Sequence, residues 1–155
     1  MTVADTSSLD LTNGMTLVAW VRPTALGATW RCVIFKERPG GIVYSLYANE
    51  DTAKPIGQVY VAGEQNALGS VTLPLNAWTH LAVTFDGTTL RLYANGALAG
   101  SKAVTGSMAA STGVLRIGGN AIWPEFFAGL IDEVRVYNRA LSATEIGADM
   151  NAPLS

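Results

Sequence analysis

The stretch GLIDEVRVY, Gly129 to Tyr137, holds the carboxylate whose position demands most explanation. Read as a strand, its side chains alternate between two faces. Leu130, Val134 and Val136 then share an apolar face with Asp132 in its middle, while Ile131, Glu133, Arg135 and Tyr137 make up a mixed face. A carboxylate aimed into a core must be hydrogen-bonded, bound to a metal or protonated. Asp132 is therefore the first candidate for a metal or a structural role.

The other residue types that do chemistry are sparse. His80, in WTHLAV, is the single histidine, and its apolar strand neighbours suit a packed, hydrogen-bonded residue better than a base. Cys32, in CVIFK, is the single cysteine, so no intrachain disulfide forms and the thiol reads as a small buried hydrophobe. One His and one Cys do not make a zinc ligand set. Neither a Gly-x-Ser-x-Gly elbow nor a phosphate-cradling glycine loop ahead of a helix is present. The formal charge of −2 and the lack of any Lys/Arg cluster give no footprint for nucleic acid or an anionic membrane.

Tryptophans offer a different chemistry, stacking on the apolar faces of sugar rings. Trp20, Trp78, Phe85 and Tyr137 lie in strand-like runs and read as core or inter-sheet packing. Trp30 in LGATWRC and Trp123 in NAIWPEFF are flanked by turn and polar residues. They form either a stacking platform, with Arg31, Tyr47, Asn120 and Glu125 as partners, or plugs folded over the rim. Tyr44 and Tyr47 fall on opposite faces of one strand, so at most one joins such a patch.

These residues need strands to position them. MTLVAWVRP, CVIFK, GIVYSLYA and GQVYVAG are rich in β-branched and aromatic residues and are separated by Gly, Pro, Asn and Asp. Asp86-Gly87 and Asn95-Gly96 suit hairpin turns. They predict a three-stranded meander of Trp78–Phe85, Thr89–Ala94 and Ala97–Val104. VLRIGG and FAGLIDEVRVY add two further strands. Ser142 and Glu145 predict a capping box, with Leu141 and Ile146 as its hydrophobic staple. About eight strands, no βαβ alternation and one short C-terminal helical turn predict an all-β antiparallel β-sandwich or jelly roll, in one domain spanning residues 1–155.

MTLVAWVRP, WTHLAVTFDGTTLRLYANG, LRIGG and GLIDEVRVYNRALSATEI, in that order, resemble the signature segments of laminin G-like domains. The resemblance runs from about Val3 to Asn151. It implies the concanavalin A-like lectin/glucanase jelly roll, serving as an extracellular, secreted or surface binding module, typically in bacteria. The usual domain opens with an additional strand or two ahead of the part that resembles TVADTSSLDL. The chain is thus expected to be a piece of a larger multidomain protein, with a sheet edge open to self-association or to a complementary strand, or covered by its own N-terminal residues.

The resemblance also implies a structural Ca²⁺, with Asp132 as its side-chain ligand and Asp5 and Asp10 as further oxygens if the N-terminal segment folds back. Hydrogen bonding, or a shifted register that exposes Asp132, is the alternative. Glycoside hydrolases of the same superfamily place paired carboxylates on one strand face, whereas Asp132 and Glu133 fall on opposite faces. The reading is a non-catalytic recognition or adhesion module for carbohydrate. An architectural spacer or interdomain contact is the first alternative and a hydrolase the second.

Overall fold

The computed structural model describes residues 1–152. The strands in chain order are β1 (Thr2–Val3), β2 (Met15–Pro23), β3 (Arg31–Arg38), β4 (Gly41–Asn49), β5 (Ile56–Tyr60), β6 (Glu64–Leu68), β7 (Thr79–Phe85), β8 (Thr89–Ala94), β9 (Ala97–Ala103), β10 (Leu115–Ile117) and β11 (Gly129–Tyr137). Among the described residues the one α-helix, α1, spans Ala143–Met150, and a single 3-10 turn spans Ser7–Leu9. A six-stranded sheet runs β1-β10-β3-β4-β5-β6 and a five-stranded sheet runs β11-β2-β7-β8-β9. Every pairing is antiparallel, and the two sheets form the expected sandwich.

The core follows from alternation. Leu17, Ala19 and Val21 of β2 and Leu81, Val83 and Phe85 of β7 face Tyr44, Leu46 and Ala48 of β4 across the sandwich. Full burial of each large apolar side chain contributes about 1.5–3 kcal/mol. The Asp86-Gly87 and Asn95-Gly96 turns join the expected meander β7-β8-β9, with Asn95 and both glycines at positive φ. The strand β6 escapes the hydrophobic reading because only Ala67 of its residues is buried. At the N-terminus, β1 pairs with β10, and the Met1 ammonium donates to the Ile117 carbonyl at 2.9 Å.

Helix α1 starts at the expected capping box. The Glu145 N–H donates to Ser142 Oγ at 3.2 Å, and the Ser142 N–H donates to Glu145 Oε2 at 2.8 Å. Leu141 and Ile146 are buried against Val18, Ala82 and Tyr93, so the helix covers part of the outer face of the five-stranded sheet. Phe85 is core, as expected, and Tyr137 packs beneath α1. Trp78, by contrast, is 43% exposed, and Trp20 stands on the outer face, so neither packs between the sheets.

The expected register of β11 is broken. Glu133 adopts φ +48°, and the pairing with β2 shifts between Asp132 and Arg135. This β-bulge inserts a residue and reverses the facing of everything before it. Ile131, Val134 and Val136 pack on the core, whereas Leu130 and Asp132 are exposed. Asp132 is not a core carboxylate; its Oδ1 accepts the Glu133 N–H at 2.8 Å.

Candidate functional site

Two loops bring the site together over the outer face of the six-stranded sheet. Trp30 precedes β3, half-buried, and its indole Nε1 donates to Asp51 Oδ1 at 2.8 Å. Its ring meets Tyr47 edge-on, with centroids 5.1 Å apart. Trp123 lies in the segment from Asn120 to Phe127 that links β10 to β11. The Gly119–Phe126 bridge and the Asn120 N–H to Glu125 carbonyl bond of 3.1 Å close that segment into a hairpin. The Trp123 ring rests edge-on against Phe35 at 5.9 Å and remains 43% exposed.

A polar junction fixes this hairpin to the sheet. The Tyr47 hydroxyl donates to Glu125 Oε2 at 2.6 Å, and Asn120 Nδ2 donates to the same oxygen at 3.0 Å and to the Tyr47 oxygen at 3.2 Å. Asn120 Oδ1 in turn accepts the Trp123 N–H at 2.8 Å. Burial, then the neighbouring Cys32 and Glu125, push the Tyr47 hydroxyl far above its ordinary range, so it stays protonated and donates. Cys32 lies underneath, fully buried, its thiol pushed up to about 12 chiefly by burial. It is the inert hydrophobe that its sequence context implies.

Trp30, Tyr47, Gln58, Glu64, Trp123 and Glu125 line one open cleft of about 220 Å³. Ser45 Oγ donates to Gln58 Oε1 at 2.9 Å, and Gln58 Nε2 donates to Asn66 Oδ1 at 3.0 Å, a polar ladder across β4, β5 and β6 beside it. Trp30, Tyr47, Trp123 and Glu125, grouped in the sequence analysis, thus line the same cleft. Asn120 supports the cleft from behind rather than lining it. Arg31 is not part of it: its Nη1 donates to the Phe126 carbonyl at 3.3 Å. Gln58 and Glu64 are missed, because GQVYVAG draws attention to its apolar residues and EQNAL does not read as a strand. As expected, Tyr44 faces the opposite way, into the core, where its hydroxyl donates to the Leu9 carbonyl at 3.0 Å.

The other candidates lie elsewhere. His80 is buried against Trp20, its Nε2 3.5 Å from Asp149 Oδ1, and neither ring nitrogen has a hydrogen-bond partner among the described residues. It is packed, as expected, but not hydrogen-bonded. The calcium set implied by the resemblance is not assembled. Asp132 is on the outer face of one sheet, while Asp5 accepts a hydrogen bond from the buried Lys36 of the other. No group of three His, Cys, Asp or Glu side chains gathers among the described residues. A calcium site that joins Asp132 to Asp5 does not fit this separation.

Residues 1–147 match the laminin G-like model described as the concanavalin A-like lectin/glucanases superfamily, and the chain belongs to that family. No match emerges among curated protein sequences. The fold is similar to domain 4 of a GH43 extracellular arabinanase from Geobacillus stearothermophilus, solved in complex with arabinotriose. That likeness has a TM-score of 0.66 and 24% identity over 93% of this chain and 69% of that one. The binding domain of Paraclostridial Mosquitocidal Protein 1 has a TM-score of 0.75 and 17% identity, covering 97% of this chain and 40% of that one. The heptameric SAP-like pentraxin from Limulus polyphemus has a TM-score of 0.66 and 16% identity, covering 95% and 71%. The chain therefore spans less than half of the mosquitocidal protein's binding domain. At these identities the likenesses establish the fold. No helix among the described residues is long and apolar enough to cross a membrane.

Proposed function

We propose that this domain is a non-catalytic carbohydrate-binding module working outside the cell, and that the cleft between Trp30 and Trp123 takes one sugar ring of a longer glycan. The observation that carries this reading is the convergence of two loop tryptophans over a polar sheet face. Indole surface supplies the stacking area, and Glu64, Gln58 and Glu125 Oε1, which accepts no hydrogen bond among the described residues, supply hydroxyl partners. At about 220 Å³ the cleft is smaller than the roughly 300–1,000 Å³ of enclosing ligand pockets, so most of a chain stays in solvent. The arabinotriose complex of the arabinanase domain supports saccharide as the ligand class.

Retention on a panel of insoluble polysaccharides, with and without EDTA, tests the reading. The wild type should be retained by at least one of them in both conditions, since no group of three His, Cys, Asp or Glu side chains gathers among the described residues. Trp123→Ala should weaken retention tenfold or more while leaving the thermal midpoint within a few degrees, the shift expected for under about 1 kcal/mol. Loss of fold in that variant, or unchanged retention, would remove the cleft from the site and favour a purely architectural domain.

Hydrolysis is the competing reading, because Glu64 and Glu125 line the same cleft. It requires two carboxylates flanking the bond to be cleaved. Release of reducing ends, abolished in Glu125→Gln, would establish it.

A further inference from the structure

A second pair of tryptophans stands on the outer face of the other sheet. Trp20 and Trp78, with Asp132, Met150 and Ala152, line an open cleft of about 340 Å³ at the C-terminal end of α1. The Trp20 ring is held edge-on against the buried His80, with centroids 5.3 Å apart, so its position is set before any ligand arrives. Trp78 is 43% exposed. Asp132 is the direct partner of Trp20 in the β2–β11 ladder, and the bulge that follows keeps its carboxylate on this outer face. One Asp132 oxygen accepts the Glu133 N–H, and the other accepts nothing among the described residues.

Arg22, Arg91 and Arg135 on this face are engaged elsewhere, Arg91 with Asp86 at 2.7 Å. Arg22 donates its Nε to the Asn76 carbonyl at 2.9 Å, and Arg135 is paired with Glu133 and Asp149. No cationic side chain lines the cleft among the described residues. Its surface is thus indole, thioether and one carboxylate carrying an unused oxygen.

We propose that this cleft is a binding site for an organic cation of the quaternary or methylated ammonium class. An indole ring attracts a cation through its quadrupole more strongly than other aromatics do, and methyl groups on the cation fill apolar space that water leaves readily. The methionine sulfur is polarizable and adapts to such a shape. Asp132 adds the complementary charge. A sugar suits this cleft poorly, because its hydroxyls need several polar partners and the lining offers a single carboxylate. The proposal is independent of the carbohydrate reading, which concerns the opposite sheet.

The test is a titration of the full chain with choline, followed by tryptophan fluorescence and by the indole N–H signals in NMR. The neutral carbon analogue 3,3-dimethylbutan-1-ol, of the same shape without the charge, is titrated in parallel. Choline should saturate and shift the Trp20 and Trp78 signals but not those of Trp30 and Trp123, with the neutral analogue about tenfold weaker or worse. Trp78→Ala and Asp132→Asn, both at exposed positions, should each weaken choline binding about tenfold with the fold intact. Equal affinity for the neutral analogue would show a merely apolar cleft and overturn the proposal. So would choline binding unchanged in both variants, displacement of choline by a neutral saccharide, or no response to tens of millimolar choline.

Discussion

The Tyr47 hydroxyl donates to Glu125 Oε2 at 2.6 Å, and this bond ties the hairpin that carries Trp123 to the strand beneath Trp30. Tyr47→Phe should therefore loosen the hairpin without removing any ring from the cleft. A hydrogen bond to a charged group is worth about 1.5–3 kcal/mol, and Asn120 still donates to Glu125, so the expected loss of stability lies near the lower figure. Glycan retention should fall further than stability does, because the Trp123 ring loses its fixed position. Urea unfolding beside retention on the same polysaccharide measures both. A variant that binds as tightly as the wild type would show that the bond holds nothing the ligand uses.

The strands and the cap are legible in the chain because each has a local chemical cause. Asn95-Gly96 accepts positive φ, Ser142 and Glu145 satisfy helix-end N–H groups, and alternating apolar residues mark the faces of β2 and β7. The register of β11 is not legible because its bulge residue is Glu133, which lacks the glycine that usually signals positive φ. Without the bulge, Asp132 reads as a core carboxylate. Trp30 and Trp123 are legible as loop aromatics of one cleft because polar and turn neighbours surround them. Glu64 and Gln58 are not, since their place in the cleft depends on β5 and β6 pairing, a non-local event. Trp20 and Trp78 mislead for a related reason: strand periodicity reports which residues share a face, but not which face the helix leaves uncovered.

Gly57 on β5 shows how closely the two sheets approach. A methyl group at its Cα would lie 2.3 Å from Val83 Cγ2 of the opposing sheet. Gly57→Ala should destabilise the domain by about 1–3 kcal/mol through overpacking. Combining it with Val83→Ala should recover part of that loss, since the second change removes the clashing methyls. Thermal unfolding of the two single variants and the double variant gives the coupling. Additive losses would mean that the strain is relieved elsewhere.

Lys36 on β3 is fully buried, and its ammonium donates to Asp5 and, at 2.5 Å, to the Gly113 carbonyl. Removing a charge partner leaves a buried cation uncompensated, at a cost of about 3–5 kcal/mol, whereas replacing the cation with an apolar isostere is often neutral. Asp5 is a quarter exposed, which places Asp5→Ala at or below the lower end of that range. Lys36→Met should be the milder change, and adding it to Asp5→Ala should restore stability. Chemical denaturation of the set decides. An Asp5→Ala variant as stable as the wild type would show that water reaches the ammonium and replaces the carboxylate.

His80 makes stability depend on pH in a definite direction. Burial lowers its affinity for a proton; the nearby Asp149 opposes this without cancelling it, and Arg135 reinforces the lowering. Glu133 and Tyr137 also belong to this network beneath α1, the first paired with Arg135 and the second donating to Asp149 at 2.5 Å, and Tyr93 packs in the same cluster. The unfolded chain takes up the imidazole proton near its ordinary value of 6.5, while the folded chain does so only at lower pH. Folding is thus favoured fully above 6.5, and stability falls as the pH drops below it, until the folded imidazole is also protonated. Glu145 acts in a separate, more acid window. Hydrogen bonding from Arg139, then from the Ser142 N–H, holds its carboxyl at about 2, so the stability it contributes is present above about 4.5 and lost as the pH falls towards 2. Thermal midpoints measured from pH 8 down to about 5 therefore isolate the histidine. The wild type should lose stability across that range, and His80→Gln should flatten the slope. An equal slope in both proteins would assign the effect to another group and leave His80 a packing residue alone.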